Sequence, residues 1–150
     1  MGVDRWLSMV AVHQVEPLPF AVLMFGTAIT CDFVRGGQHQ GGWIVPGRDL
    51  MQNALTKNTA RVFCEQKGAS QFGIGQSTPN CVSFGCFAAA RGVIQSAREW
   101  LQQNWSQYRI YVTGGDVNII SSVEQGDIIN AENLVLQGLA HYAKRNKCDG

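Results

Sequence analysis

The sequence predicts an α/β protein in which a mixed sheet carries helices on its faces. The first observation is that three apolar segments, residues 20–25, 28–34 and 41–47, follow one another across glycine-containing turns, which is typical of an antiparallel meander. The second is that predicted helices alternate with one further strand in the second half of the chain. With 150 residues, one domain is expected.

A short amphipathic helix is predicted at the N-terminus, where apolar side chains recur at helical spacing: Val3, Leu7, Val10 and Ala11. Pro17 and Pro19 end this segment, and the three strands follow. The last of them, "GGWIVPG", ends at Pro46-Gly47. A second helix is expected from Arg48 to Leu55, and residues 56–77 are polar, glycine-containing and predicted to be rich in loops.

A long helix is expected to start at Thr78-Pro79, with Thr78 as a hydroxyl N-cap and the proline at the first helical position. One face of this helix is apolar: Phe87, Ala90, Val93, Ile94, Ala97 and Leu101. "YRIYVTGG" then predicts a buried strand that runs into two glycines. We expect Asn130 to cap a final helix, whose apolar face is Leu134, Val135, Gly138, Leu139 and Tyr142.

Composition and charge exclude several classes of function. The formal net charge of +1 gives no electrostatic basis for binding nucleic acid or an anionic membrane, and the four tryptophans are not interleaved with basic residues. The apolar segment at residues 17–24 is too short to span a bilayer, and no secretion signal is evident. Five scattered cysteines without a CxxC pair predict reduced thiols, no metal site and a cytoplasmic protein.

Two glycine-containing turns are candidate binding sites. The hairpin turn Gly26-Thr27-Ala28 exposes backbone N–H groups, and the hydroxyls of Thr27 and Thr30 add donors, so phosphate oxygens could bind there. The segment 113–116, "TGGD", follows a buried strand, where ligands of α/β sheets often sit. For each segment the alternative is a tight turn without a ligand.

Asp4 and Arg5 form a neighbouring acid–base pair in a context that suggests chemistry. A carboxylate can accept the proton of a hydroxyl that attacks a phosphoryl group, and a guanidinium can hold a substrate carboxylate through two hydrogen bonds. The alternative is a solvated first helical turn. The three histidines, His13, His39 and His141, share no spacing with acidic residues and are interpreted as structural or surface residues.

The order of the segments is more specific than any one of them. "GVDRW", "FGTAITCD", "GGWIVPG", "LMQNALTKNTA", "YVTGGD" and "LVLQGLAHYA" together resemble the type III pantothenate kinase family, which includes the Bvg accessory factor proteins, over about residues 2–145. The resemblance implies the ribonuclease-H-like fold of the actin, Hsp70 and sugar kinase superfamily. It also implies ATP-dependent phosphorylation of pantothenate to 4'-phosphopantothenate, the first step of coenzyme A biosynthesis, by a homodimer with Mg²⁺ and a monovalent cation, K⁺ or NH₄⁺.

The resemblance also assigns roles to residues of this chain. Asp4 corresponds to the catalytic base, and three further positions to the pantothenate site: Gly2, Arg5 and Thr59. The second phosphate loop is matched at Gly26, Thr27 and Ala28, with Thr30 as a further donor to ATP phosphates. Gly114 and Gly115 correspond to the turn on the adenosine side.

Three departures from the family pattern affect the domain content and the activity that we expect of this chain. The family's N-terminal domain, with its DxGNT-type phosphate loop, has no counterpart in this chain. Met24 stands where many members carry an aspartate associated with the monovalent cation, and "NTARVF" replaces the usual "TAxLP" ending. We therefore expect a single ribonuclease-H-like domain, weak or inactive alone, whose N-terminal half is a separate polypeptide or has been lost by truncation. The alternative is a non-catalytic regulatory or scaffolding protein of the accessory-factor kind.

Overall fold

The computed structural model describes residues 1–58, 68–123 and 126–148. Four α-helices and five β-strands occur in this part of the chain, with a short 3₁₀ helix, Val117–Ser122, after the fourth strand. In chain order they are α1 Val3–His13, β1 Phe20–Phe25, β2 Ala28–Arg35, β3 Gln38–Pro46, α2 Arg48–Asn58, α3 Thr78–Asn104, β4 Arg109–Gly114, β5 Ile128–Asn130 and α4 Leu134–Cys148.

The five strands form one mixed sheet in the order β3-β2-β1-β4-β5. The pairs β1–β2 and β2–β3 are antiparallel, which confirms the predicted meander, whereas β1–β4 and β4–β5 are parallel. Leu23 at the centre of β1 lies opposite Cys31 on β2 and Val112 on β4. This arrangement is a ribonuclease-H-like sheet with flanking helices, as predicted.

The central strands are apolar along their length because both faces of the sheet are covered. Alternate side chains such as Leu23, Ile29 and Ile110 pack with the buried face of α3 in one core. The intervening side chains, such as Val22 and Val34, pack in a second core with residues of α1 and α4. The predicted apolar face of α3 is confirmed: its residues are buried in the first core, except Val93, which is partly buried and packs against it.

Helices α1 and α4 approach each other closely at Gly138. A Cβ atom built there would lie 2.0 Å from the Leu7 carbonyl oxygen, so glycine is required for this packing. The predicted apolar faces of the two helices are only partly buried. Leu139 and Tyr142 of α4 are 51% and 47% exposed, and Val3 of α1 is also exposed.

Two predicted helix starts were wrong. Asn130 is not an N-cap but the last residue of β5, a strand missed because its three residues are defined by pairing with distant β4; α4 begins at Leu134. The N-cap of α3 is Ser77, whose hydroxyl accepts a hydrogen bond from the Asn80 N–H. Thr78 is therefore the first helical residue and the proline follows it.

Other boundaries moved by a few residues. Strand β3 begins at Gln38 rather than at Gly41, and α2 extends past Leu55 to Asn58. No helix among the described residues has the length and apolar character needed to cross a membrane.

Candidate active site

A cleft of about 640 Å³ lies where the N-terminus of α1 meets the ends of the parallel strands β1 and β4. Most of the residues assigned to the site from sequence line it: Gly2, Asp4, Arg5, Gly26, Thr27, Ala28, Thr30 and Gly114. Met24 lines the same cleft. The fold therefore brings together residues that are up to 112 positions apart in the sequence, from Gly2 to Gly114.

The Gly26–Ala28 loop turns tightly and leaves donors open. The Gly26 N–H donates to the Ala28 carbonyl at 3.1 Å, which closes the hairpin. Thr27 is exposed, and neither its N–H nor its hydroxyl is hydrogen-bonded within the described part of the chain. The loop therefore presents an amide and a hydroxyl to the cleft side, as a phosphate-binding turn does.

Two glycines from other segments hold this loop in place. Gly47 donates to the Thr27 carbonyl at 2.8 Å, and a Cβ on Gly47 would lie 2.1 Å from the Gly26 carbonyl oxygen. Gly114 has a φ of +113°, and its Cβ would lie 2.1 Å from the Phe25 carbonyl oxygen. Side chains at these positions would displace the loop, which explains physically the glycines of "GGWIVPG" and "TGG".

The Thr30 hydroxyl is a buried donor without a hydrogen-bond partner among the described residues. The residue is 9% exposed and lines the cleft. Leaving such a group unsatisfied costs about 1–3 kcal/mol, so a ligand oxygen that accepts a hydrogen bond from it would recover that free energy on binding. This orphaned hydroxyl and the open loop fit the phosphates of a nucleotide.

Asp4 and Arg5 do not pair with each other. Neighbouring residues on a helix point in different directions, and Asp4 is exposed, with no hydrogen bond or ion pair to the described residues. Arg5 instead donates from Nε and Nη2 to the two carboxylate oxygens of Asp32, at 2.8 and 2.5 Å. This hydrogen bonding raises the pKa of Arg5.

Asp32 contacts the cleft residue Arg5, and sequence reasoning missed it. It is 1% exposed in the middle of β2, and it also lies 2.7 Å from His39 Nε2. His39, interpreted as a structural or surface residue, is exposed and contacts Asp32, because the β2–β3 hairpin brings the two together although their spacing gave no sign of it. A lone carboxylate inside the apolar pattern "AITCDFV" was the available signal.

A second ion pair connects the segments behind the loop. The buried Arg48 at the start of α2 donates to Asp116, directly after the two glycines, at 2.7 Å, and lies over the Phe87 ring. Burial raises the pKa of Asp116 despite that arginine. Gly115 was expected in the site but does not line the cleft. Its N–H donates to the Phe25 carbonyl at 3.0 Å.

Two further expectations concern Thr59 and the metal ions. Thr59 lies outside the described residues. Met24 pairs with Thr30 on β2 and with Thr113 on β4 in the sheet register. A hard monovalent cation prefers oxygen ligands, and the thioether of Met24 supplies none at this position. Among the described residues that line the cleft, only Asp4 carries a carboxylate, and its exposure suits a Mg²⁺ ion held largely by ATP phosphates.

The fold and the cleft define a ribonuclease-H-like α/β domain with a candidate binding cleft at the ends of two parallel strands. Residues 1–100 match the family model of type III pantothenate kinase. The chain belongs to the type III pantothenate kinase family.

Named relatives and a solved structure agree with this assignment. The chain is 39% identical over 143 residues to the type III pantothenate kinase of Pseudoalteromonas atlantica and 35% identical over 148 residues to that of Azotobacter vinelandii. It covers 58% of the length of each, and 95% and 93% of this chain is matched. A crystal structure from Campylobacter jejuni, described as a conserved Baf family transcriptional activator, superposes with a TM-score of 0.69 at 25% identity, covering 98% of this chain and 65% of that one.

Proposed function

We propose that this chain supplies the catalytic base, the substrate arginine and one phosphate loop of a kinase that transfers a phosphoryl group from ATP to pantothenate. The observation that carries the proposal is the shared cleft, in which Asp4, Arg5 and the Gly26–Ala28 loop meet. Membership of the type III pantothenate kinase family supports the choice of substrate. The product is 4'-phosphopantothenate.

Each residue has a role that its surroundings permit. Asp4, exposed and unpaired among the described residues, accepts the proton of the attacking hydroxyl. Arg5 attracts the pantothenate carboxylate, and the donors of Thr27 and Thr30 bind phosphate oxygens. Gly114 allows the end of β4 to pack against Phe25 at the edge of the cleft, on the side proposed for the nucleotide. Mg²⁺ bound with ATP would reduce the negative charge of the phosphates.

A matching half is needed to close this cleft. Phosphoryl transfer depends on positioning and on charge stabilisation around the phosphates, and this chain spans 58% of the length of its relatives. We therefore propose that the part of the relatives outside the match supplies the matching half of the cleft, and that the complete enzyme is a homodimer in the cytoplasm. Because Met24 brings no oxygen ligand, the proposal includes no K⁺ or NH₄⁺ bound at that position.

The test combines the chain with the part of the Pseudoalteromonas atlantica relative that the match leaves uncovered. We expect ATP-dependent formation of phosphopantothenate from the mixture and little from this chain alone. Asp4→Asn should lower kcat by about 10²–10⁴-fold, as removal of a general base does. Asp49→Asn is the matched control, since Asp49 is also an exposed first-turn aspartate, in α2, but lies outside the cleft.

Two outcomes would refute parts of the proposal. A turnover near 1 s⁻¹, on the order of the slower ordinary kinases, by the chain alone would contradict the need for a second half. A folded mixture without product would contradict the kinase assignment itself.

A regulatory role is the second candidate, favoured by two observations. Met24 replaces the family aspartate, and the Campylobacter jejuni structure with the same fold is described as a transcriptional activator. If this role is correct, Asp4→Asn should leave the biological effect of the gene intact while any kinase activity is lost.

A further inference from the structure

We propose that Asp32 is a positioning residue, which holds the Arg5 guanidinium in the orientation that receives the carboxylate of the substrate; this rests on the proposed function. Two of the three guanidinium nitrogens, Nε and Nη2, are engaged by the carboxylate of Asp32. The third, Nη1, has no hydrogen-bond partner among the described residues, and Arg5 lines the cleft. One edge of the guanidinium is therefore fixed and the other is available to an acid.

The burial of Asp32 makes this pair a rigid anchor. The carboxylate is 2% exposed and the Arg5 side chain 18% exposed, so water competes little for either group. A buried carboxylate requires charged or hydrogen-bonding partners, and Asp32 has Arg5 on both oxygens and His39 Nε2 2.7 Å from Oδ1. The arginine is held between a fixed strand and the first turn of α1.

The neighbouring strand is shaped to leave room for this carboxylate. Gly42 on β3 lies opposite Asp32 in the register, and a Cβ there would lie 2.8 Å from Asp32 Oδ1 and 2.2 Å from the Cys31 carbonyl oxygen. The preceding Gly41 has a φ of +127°, next to an irregularity in the pairing of the two strands. The first glycines of "GGWIVPG" thus serve the Asp32 site, while Gly47 serves the phosphate loop.

The experiment measures kcat and KM of the combined enzyme described above, with pantothenate and ATP varied in turn. Asp32→Asn should raise the KM for pantothenate about tenfold, the scale expected when an ordered side chain must be ordered by the ligand instead. The KM for ATP should stay within about twofold, because the phosphate loop does not contact this pair. A loss of folded enzyme would lower kcat and leave both KM values unchanged.

Asp127→Asn is the matched structural control. Asp127 accepts two hydrogen bonds from Arg98, at 2.8 and 2.7 Å, which is the same geometry away from the cleft. It should lower stability and leave the pantothenate KM as in the wild type. In an Arg5→Ala background, Asp32→Asn should add nothing to the pantothenate KM, because Asp32 acts through Arg5.

A measurement on the unsubstituted chain covers the case in which Asp32→Asn fails to fold. The fixed guanidinium predicts separate NMR resonances for the two Nη groups of Arg5, and a single averaged resonance would overturn the inference. An active combination whose pantothenate KM is unmoved by Asp32→Asn would overturn the positioning role alone. A combination that makes no product would overturn the proposed function and this role together.

Discussion

The contact between α1 and α4 provides the sharpest test of the packing. Gly138→Ala places a Cβ 2.0 Å from the Leu7 carbonyl oxygen, where ordinary contacts begin near 3.4 Å, so α1 must move by more than about 1 Å. Overpacking of this kind costs about 1–3 kcal/mol, and the gain in helix propensity returns about 0.5–1 kcal/mol. We expect a net loss of about 1–2 kcal/mol in the free energy of unfolding.

Gly92→Ala is the matched control for that substitution. Gly92 also lies within a long helix, α3, but its Cβ would meet nothing within 4 Å. The free energy of unfolding of this variant should rise by about 0.5–1 kcal/mol, so the same substitution should stabilise the protein at Gly92 and destabilise it at Gly138.

Urea denaturation followed by circular dichroism measures both variants. The expected difference between the two variants corresponds to about 3–12 °C in Tm, at about 2–4 °C per kcal/mol for a protein of this size. If Gly138→Ala is as stable as Gly92→Ala, α1 and α4 are not packed backbone to backbone and the reasoning is wrong.

Three further predictions follow from the site and the core. Gly114→Ala should lower stability by at least about 1–3 kcal/mol and abolish ATP binding measured by calorimetry, because its φ is positive and the strand end has no space; wild-type binding would contradict this. Burial and a hydrogen bond to Glu16 raise the pKa of Tyr111 to about 12, so its contribution to stability is complete below pH 10 and is lost as the pH rises towards 12. Tyr111→Phe should flatten that part of the stability curve in denaturant titrations, and an unchanged slope would refute the assignment. Iodoacetamide should label the exposed Cys81 and spare Cys31, which is buried and whose thiol pKa is raised by that burial; peptide mass spectrometry showing equal labelling would refute the burial.

Local patterns predicted the elements that carry their own signals. The strands 20–25 and 28–34, separated by a glycine turn, and the apolar face of α3 could be read because periodicity and turn chemistry act within a few residues. β5 could not, since three residues at 128–130 form a strand only by pairing with β4. The same limit explains Asn130, which local sequence assigned to a cap.

The same contrast between local signals and distant pairing applies to the candidate site. The order of motifs predicted that the Gly26–Ala28 loop and the acid on α1 belong to one site, and both line the cleft; these motifs are contiguous in the chain and can be read locally. Sequence did not reveal what Arg5 contacts: Asp4 is its neighbour in the chain, but Asp32, 27 residues away, is its partner in the fold.

By itself, then, the sequence determined the family, the succession of elements and which short segments contribute to the cleft. Only the tertiary structure decided that Asp32 pairs with Arg5 and His39, that Gly42, Gly47 and Gly114 allow close backbone approaches, and that Leu139 and Tyr142 of the apolar face of α4 stay exposed. The physical reason is that spacing along the chain encodes local conformation, whereas ion pairing and steric fit depend on which strands and helices become neighbours.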